Sequence, residues 1–191
     1  MTYRSKSPYG DQLDKFHWPL ILEMIVCRSV DNYLVYISEL LALVFKTRPE
    51  MLKSSDMVKL DFVLKHESMN DLINALAEQK VSELSYQGMR ELSTFLSKRF
   101  DFGLFTEPNE LEQAIQIVQA RNLIVHNRGI VNAIYLSRVS NAASQIGRPI
   151  FLTTMEVFED IMFLGCSVAD IENRAISKYG LPVDSNIVNG G

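Results

Sequence analysis

The sequence predicts an all-α protein, an up-and-down-like bundle of five or six helices. Apolar residues recur at three- and four-residue steps through its long segments, which is the periodicity of a helix. Six prolines and several capping residues divide these segments into lengths typical of helices. The short apolar stretch that follows Pro149 suits an extended conformation, but one such strand cannot form a sheet.

Pro19 is expected to begin a long first helix that runs to Phe45, because proline fits the first turn of a helix. Pro49 follows its end, where a residue that cannot continue a helix is expected. Asp31 and Asn32 interrupt the apolar faces midway and are interpreted as an exposed turn. The apolar positions with helical spacing are Leu20, Met24, Cys27, Leu34, Ile37, Leu41 and Val44.

Two shorter helices are expected next. Ser54 or Ser55 is a candidate cap for a helix over residues 56–65. Ser68 with Asp71 resembles a capping box, in which a side-chain oxygen satisfies a free amide at the start of the following helix.

A further helix is predicted over residues 85–100, where the apolar periodicity continues despite Gly88. A break follows, and Pro108 is expected to begin the next helix, which covers residues 110–128. Gly129 is expected to stop or kink that helix, since glycine readily takes the left-handed conformation that ends helices.

The last third of the chain begins with a loop-rich stretch over residues 132–148, in which one short helix is expected at residues 133–139. Thr153 with Glu156 is a capping box that opens the final helix. That helix is expected to end near Tyr179, where a glycine and a proline follow.

Length and composition indicate one domain over residues 1–191, with flexible tails at residues 1–14 and 181–191. The chain is 47% hydrophobic and 22% charged, and its net charge of −4 excludes binding of polyanions by overall charge. Cys27 and Cys166 lie far apart, which indicates neither a disulfide framework nor a zinc site. The polar N-terminus suggests no signal peptide, and the apolar runs are too short for a membrane span. A cytoplasmic protein is expected.

The helix over residues 110–128 carries the candidate chemistry. At about 100° per residue, Asn122 falls within an apolar arc, with Arg121 at one edge and His126 at the other. Buried arginine, asparagine and histidine side chains need partners, because unpaired burial is costly. The helix also has a second apolar side, so it is either central in the bundle or shared with a partner subunit. The first arc contains Leu111, Ala114, Ile115, Val118 and Val125, and the second side contains Ile117, Ala120 and Ile124.

The charge pattern of this region is locally positive. No acidic residue occurs between Glu112 and Glu156, and all the basic residues of that window except one histidine are arginines. Arginine suits phosphate oxygens better than lysine does, because its planar fork donates two hydrogen bonds at once. The window contains Arg121, His126, Arg128, Arg138 and Arg148.

The segment ARNLIVHNRGIVN resembles the signature helix of the HEPN superfamily, whose pattern is an arginine, four to six residues and a histidine. Arg121 and His126 match this pattern with four residues between them, and Asn122 matches the polar residue that commonly follows the arginine. Asn127 and Arg128 extend the match. The resemblance covers roughly residues 107–132, and residues 54–101 contribute nothing to it.

The resemblance implies a homodimer that brings two copies of the motif together in a cleft and cuts RNA without a metal or other cofactor. His126 and Arg121 would be catalytic, while Asn122, Asn127 and Arg128 would bind phosphate or support the site. The chemistry of the residues agrees: histidine, with an ordinary pKa of about 6.5, suits proton transfer, and arginine suits charge on phosphoryl oxygens. A toxin or antiviral effector is the implied role, and a separately encoded antitoxin or regulator stays open.

Other interpretations remain at this point. Arg121 can pair with Glu110 or another acid of the bundle, and the residues from Asn127 to Gly129 can form only a helix cap. A non-catalytic HEPN-like nucleotide-binding or adaptor module in a defence or toxin–antitoxin complex is the second function. A purely structural helical dimer, with Arg121 and His126 in its interface, is the third.

Overall fold

The protein is all-α, as the sequence predicts. The computed structural model describes residues 10–53, 57–139 and 145–182, and of residues 10–16 and 86 the backbone alone. Within these ranges no strand is formed, and five helices of 12 to 38 residues account for most of the chain. The α-helices are α1 Gly10–Thr47, α2 Leu60–Val63, α3 Met69–Gln87, α4 Met89–Phe100, α5 Pro108–Asn127, α6 Ala133–Arg138 and α7 Thr154–Tyr179, with a 3-10 turn at Pro49–Leu52.

The chain divides into two compact units, and their boundaries fall within α1, α5 and α7. The first unit comprises residues 1–32 and 112–165, and the second comprises residues 33–111 and 166–191. The prediction of a single domain stays a prediction. No helix in the described part of the chain is long and apolar enough to cross a membrane.

The first unit contains α6, the first half of α7 and the larger part of α5. A compact apolar cluster, Leu123, Val131, Tyr135 and Val139, forms one part of its core, with Leu136 and Ile150 packed against it. Helix α6 begins where the Asn132 side chain accepts a hydrogen bond from the Tyr135 amide at 2.8 Å. The predicted capping box also forms: the Thr153 amide donates to Glu156 at 2.9 Å, and the Glu156 amide donates to the Thr153 hydroxyl at 3.2 Å.

The second unit contains α2, α3 and α4, and its core includes Phe45, Leu84 and Leu96. The predicted cap at Ser68 is present, since its hydroxyl accepts a hydrogen bond from the Asp71 amide at 3.1 Å. The largest fully buried side chains of the two units together are Phe45, Leu84, Leu96, Leu104, Ile171, Val30 and Val131.

Three predicted boundaries differ from the structure. Helix α1 begins at Gly10, which places Pro19 inside it and makes residues 10–14 of the predicted tail helical. Gly88 separates α3 from α4, because its φ of 109° lies outside the helical region and suits glycine alone. Only Leu60–Val63 is helical in the segment expected at 56–65, and the candidate caps before it lie outside the described residues.

The prediction of an exposed turn at Asp31 was wrong. Helix α1 continues through this position without a break, and Asp31 is only half-exposed. Its carboxylate lies against Arg121 of α5, a residue 90 positions away in the sequence. A polar residue in the middle of an amphipathic helix therefore marks a contact with another helix here. Local periodicity cannot distinguish such a contact from an exposed turn.

The chain that leaves α5 is held by backbone pairing with the segment that precedes α7. The Val131 amide donates to the Arg148 carbonyl at 2.8 Å, and the Ile150 amide donates to the Gly129 carbonyl at 2.9 Å. Ile130 and Pro149 form an isolated antiparallel bridge. The stretch expected to be extended after Pro149 thus fastens the end of α5 and does not form a strand.

Candidate functional site

Helix α5 is covered on both of its apolar sides within the single chain. Ala114, Ile115 and Val118 of the first arc are buried, and Ile117 of the second side is only 3% exposed. Val125, which the helical projection assigned to the first arc, is 50% exposed, because it lies in the last turn. The helix is therefore central in its surroundings, and its two-sided apolarity alone does not require a partner subunit.

Arg121 is held in place by two hydrogen-bonding partners. Its Nη2 lies 2.7 Å from Oδ1 of Asp31, and its Nη1 donates to Oδ1 of the neighbouring Asn122 at 3.2 Å. The Nε–H group is buried and has no partner among the described residues. Glu110, one of the acids considered for Arg121, instead accepts hydrogen bonds from Thr106 and from the Glu107 amide at the start of α5.

A line of polar residues on α1 faces the second half of α5. Glu23, Cys27 and Asp31 are each four positions apart, so they lie on one side of α1. Glu23 lies beside the turn after α5: its Oε1 would be 3.8 Å from a Cβ atom added to Gly129. Burial raises the pKa of the Cys27 thiol, while the Arg121 charge opposes this shift and the two carboxylates add to it. The thiol thus stays protonated near neutral pH and is no ready nucleophile.

His126 lies in the last turn of α5 and is exposed. Its imidazole makes no hydrogen bond or ion pair with any residue that the structure describes. Because five positions separate it from Arg121, the two side chains leave α5 about 140° apart. The Asn122 side chain leaves α5 in a direction closer to that of His126, since the i, i+4 spacing places the two about 40° apart.

Two left-handed residues end α5 and shape the turn beside His126. Arg128 has a φ of 53° and Gly129 a φ of 71°, and the Gly129 amide returns to the Leu123 carbonyl at 3.0 Å. The Asn127 side chain donates to the Ile130 carbonyl and so secures the turn. A left-handed conformation is strained for arginine and free of strain for glycine. Arg128 is exposed, so its charged group lies in solvent at the end of the helix.

The predicted site residues thus occupy one helix end, but the structure joins only two of them directly. Arg121 contacts Asn122, Asn127 serves the turn, and His126 and Arg128 are exposed. Reasoning from the sequence missed Asp31, because a contact between distant helices leaves no local pattern. The locally positive segment is also partly neutralised by the acids of α1, which the charge count along the chain could not reveal.

The first unit also exposes two apolar stripes, one on α1 and one on α7. The indole N–H of Trp18 donates to the Thr154 hydroxyl at 3.1 Å, which joins α1 to the start of α7. On each helix the exposed apolar residues recur at three- and four-residue steps, so each stripe lies along one side. The residues that form the stripes are Trp18, Ile21 and Ile25 on α1 and Met155, Phe158 and Met162 on α7.

The chemistry available at the end of α5 is that of two guanidinium groups, Arg121 and Arg128, and one imidazole, His126. Within the described ranges no group of three or more histidine, cysteine, aspartate or glutamate residues could hold a metal ion. The imidazole can accept or donate a proton, and a guanidinium can stabilise negative charge. Comparisons with models of known protein families, with curated proteins and with solved structures found no match.

Proposed function

We propose that this protein is a metal-independent endoribonuclease of the HEPN type, which acts as a homodimer with Arg121 and His126 in its catalytic centre. One observation carries the proposal: a guanidinium fixed by Asp31 and an accessible imidazole lie on the same half of α5. The proposal includes a cytoplasmic role as a toxin or antiviral effector, restrained or triggered by a separately encoded protein.

The proposed reaction is attack of a ribose 2′-hydroxyl on the adjacent phosphorus. One His126 takes the proton from the 2′-oxygen, and an acid returns a proton to the departing 5′-oxygen. Arg121 stabilises the charge that develops on the phosphoryl oxygens. The products are a 2′,3′-cyclic phosphate and a 5′-hydroxyl, so the protons balance without water and without a metal.

A dimer supplies the second imidazole that one copy of the motif lacks. A single chain offers one His126 at this site, and this imidazole points about 140° away from Arg121 on the same helix. A two-fold axis adds a second imidazole, which can serve as the acid. The apolar stripes of α1 and α7 favour such an association, because a partner's identical stripes can cover them in an arrangement of packed helices.

The remaining motif residues have supporting roles in this proposal. Asn122 orients Arg121 through their hydrogen bond, and Asn127 maintains the turn beside His126. Of these three residues, Arg128 is the best candidate for direct contact with an RNA phosphate. It is exposed, and its backbone has a conformation that glycine would adopt more easily.

The second candidate function is a non-catalytic HEPN-like nucleotide-binding or adaptor module. The ion pair between Arg121 and Asp31 favours it, because the guanidinium already has partners when no RNA is bound. A catalytic arginine must instead divide its donors between Asp31 and a phosphate. The exposure of His126 supports the enzyme over the adaptor.

Incubation of the purified chain with end-labelled RNA in EDTA tests the proposal. We expect cleavage by the native chain, and a loss of at least about a hundredfold in the His126→Ala and Arg121→Ala variants. Arg138→Ala is the matched control, since it removes an exposed arginine of the same unit and leaves the motif intact. RNA binding without cleavage, equal in all three variants, would favour the adaptor function.

A further inference from the structure

A cavity of about 760 Å³ lies in the first unit, on the side of α5 that faces away from Asn122 and His126. Its size suits a small ligand or one side chain of a peptide with its flanking backbone. Helix α5, the segment before α7 and the first turns of α7 supply most of its walls. The lining includes Gln113 and Gln116 of α5, Arg148 and Phe151 of the segment, and Glu156 and Asp160 of α7.

Asp160 is the unusual group in this cavity. It is half-buried, and its carboxylate has neither an ion pair nor a hydrogen bond among the described residues. Burial, with the nearby charges of Glu156 and Glu159, raises its pKa to about 6. A half-buried carboxylate without a counterion destabilises a folded chain, so its presence beside an open cavity points to a ligand that supplies the missing charge.

Glu156 cannot compensate the negative charge of Asp160. Its carboxylate accepts hydrogen bonds from the amide and the hydroxyl of Thr153, and these bonds lower its pKa. It therefore stays charged one helical turn from Asp160, and the two acids make this wall of the cavity negative. A cation on that wall is favoured, and an anion is repelled.

The other walls favour a planar cation over a compact one. The ring of Phe151 is 86% exposed, and an aromatic face attracts a guanidinium by stacking and by cation–π interaction. Gln113 and Gln116 are three positions apart on α5, so their amide oxygens can accept hydrogen bonds from the same ligand. A guanidinium carries five N–H donors in one plane, whereas an ammonium carries three around a point.

We propose that this cavity binds a guanidinium group, held by Asp160 and stacked on Phe151. The group belongs either to free arginine or to an arginine side chain of a peptide. Arg148 separates the two sources: it is exposed at the cavity and can bind the α-carboxylate that only the free amino acid presents. The site is independent of the proposed ribonuclease, since it uses none of the motif residues.

Calorimetric titration of the full chain with L-arginine, agmatine and L-citrulline tests the site. We expect arginine and agmatine to bind and citrulline to fail, because citrulline has nearly the same shape without the charge. Asp160→Asn should weaken binding of both cations by roughly tenfold or more, as expected when a charge-assisted hydrogen bond is lost. Glu159→Gln is the matched control: it removes a neighbouring acid that does not line the cavity, so it should weaken binding of both cations much less than Asp160→Asn does.

The source of the guanidinium follows from the same titrations with Nα-acetyl-arginine amide. If free arginine is the ligand, the blocked compound binds more weakly, and Arg148→Ala lowers the affinity for arginine alone. If a peptide side chain is the ligand, the blocked compound binds at least as well, and Arg148→Ala changes neither affinity. Either result supports the site.

Three outcomes would overturn the proposal. One is the absence of arginine and agmatine binding at about 10 mM, and another is equal binding of citrulline. The third is an Asp160→Asn variant that remains folded and binds both cations with unchanged affinity. Loss of the fold is not expected for this variant, because the substitution is isosteric and removes a charge that burial disfavours.

Discussion

The ion pair between Asp31 and Arg121 fixes the candidate site, and its coupling energy can be measured. We expect a double-mutant cycle with Asp31→Ala and Arg121→Ala to give a coupling of about 1–2 kcal/mol. The cycle removes each partner singly and then both, so effects specific to one residue cancel.

The magnitude follows from the geometry of the pair. The closest atoms are 2.7 Å apart, and the side chains are 23% exposed for Arg121 and 43% exposed for Asp31. Unit charges about 4 Å apart attract by about 4 kcal/mol at an effective dielectric constant of about 20. The cost of desolvation offsets part of this attraction. The expected coupling therefore lies above that of an exposed pair, about 0–1 kcal/mol, and below the cost of breaking a buried pair, about 3–5 kcal/mol.

Urea unfolding of the native chain, the two single variants and the double variant measures the coupling. Repeating the cycle near 0.5 M salt should reduce it, because Asp31 is open enough for ions to screen the pair. The single variant Asp31→Ala should be the more damaging one, since it leaves a half-buried guanidinium without its counterion. A coupling below about 0.3 kcal/mol at low salt would refute the expectation that this pair stabilises the fold.

Three substitutions elsewhere in the first unit have equally direct outcomes in thermal unfolding. Arg128→Gly should stabilise the chain by up to about 1 kcal/mol, because glycine adopts the left-handed turn without strain, and a loss of stability would show that the arginine side chain contributes contacts. Thr153→Ala should cost about 1 kcal/mol through loss of the cap of α7. The bonds from Thr153 lower the pKa of Glu156, so their contribution is present above the unfolded pKa and disappears as the pH falls; an effect of Thr153→Ala that grows in acid would contradict this. Asp160→Asn should raise the melting temperature near pH 7 and change it little near pH 4, because the raised pKa of Asp160, about 6, makes the native chain less stable as the pH rises. The other titratable groups of that cavity are Tyr135, Arg148 and Glu156. An equal shift at both pH values would refute the assignment of this effect to Asp160.

The features that the sequence predicted correctly are local ones. The caps at Ser68 and Thr153 form as expected, because each depends on a side chain and an amide three positions away. The all-α class follows from apolar spacing within single helices. The assignment of Gly88 to a helix interior failed because periodicity continued on both sides of it, while the backbone there has a φ of 109°.

The features that it could not predict depend on contacts between distant segments. Asp31 appeared to be an interruption of the first helix, and only the fold brings it to Arg121. The cavity beside Asp160 likewise collects residues from separate segments, and no motif in the sequence links those segments. Backbone pairing between Ile130 and Pro149, which secures the end of α5, also joins segments whose own patterns predicted no partner.

Mass spectrometry of RNA fragments, produced in EDTA by the native chain and by folded His126→Ala, tests the central proposal most directly. Attack by the 2′-hydroxyl predicts 5′ fragments that end in a 2′,3′-cyclic phosphate and 3′ fragments that begin with a 5′-hydroxyl. A substrate with a single 2′-deoxy group at the scissile position should stay intact, and the variant should yield no fragments. Products with a 5′-phosphate that appear only with magnesium, or unchanged cleavage by the His126→Ala variant, would contradict the proposed mechanism.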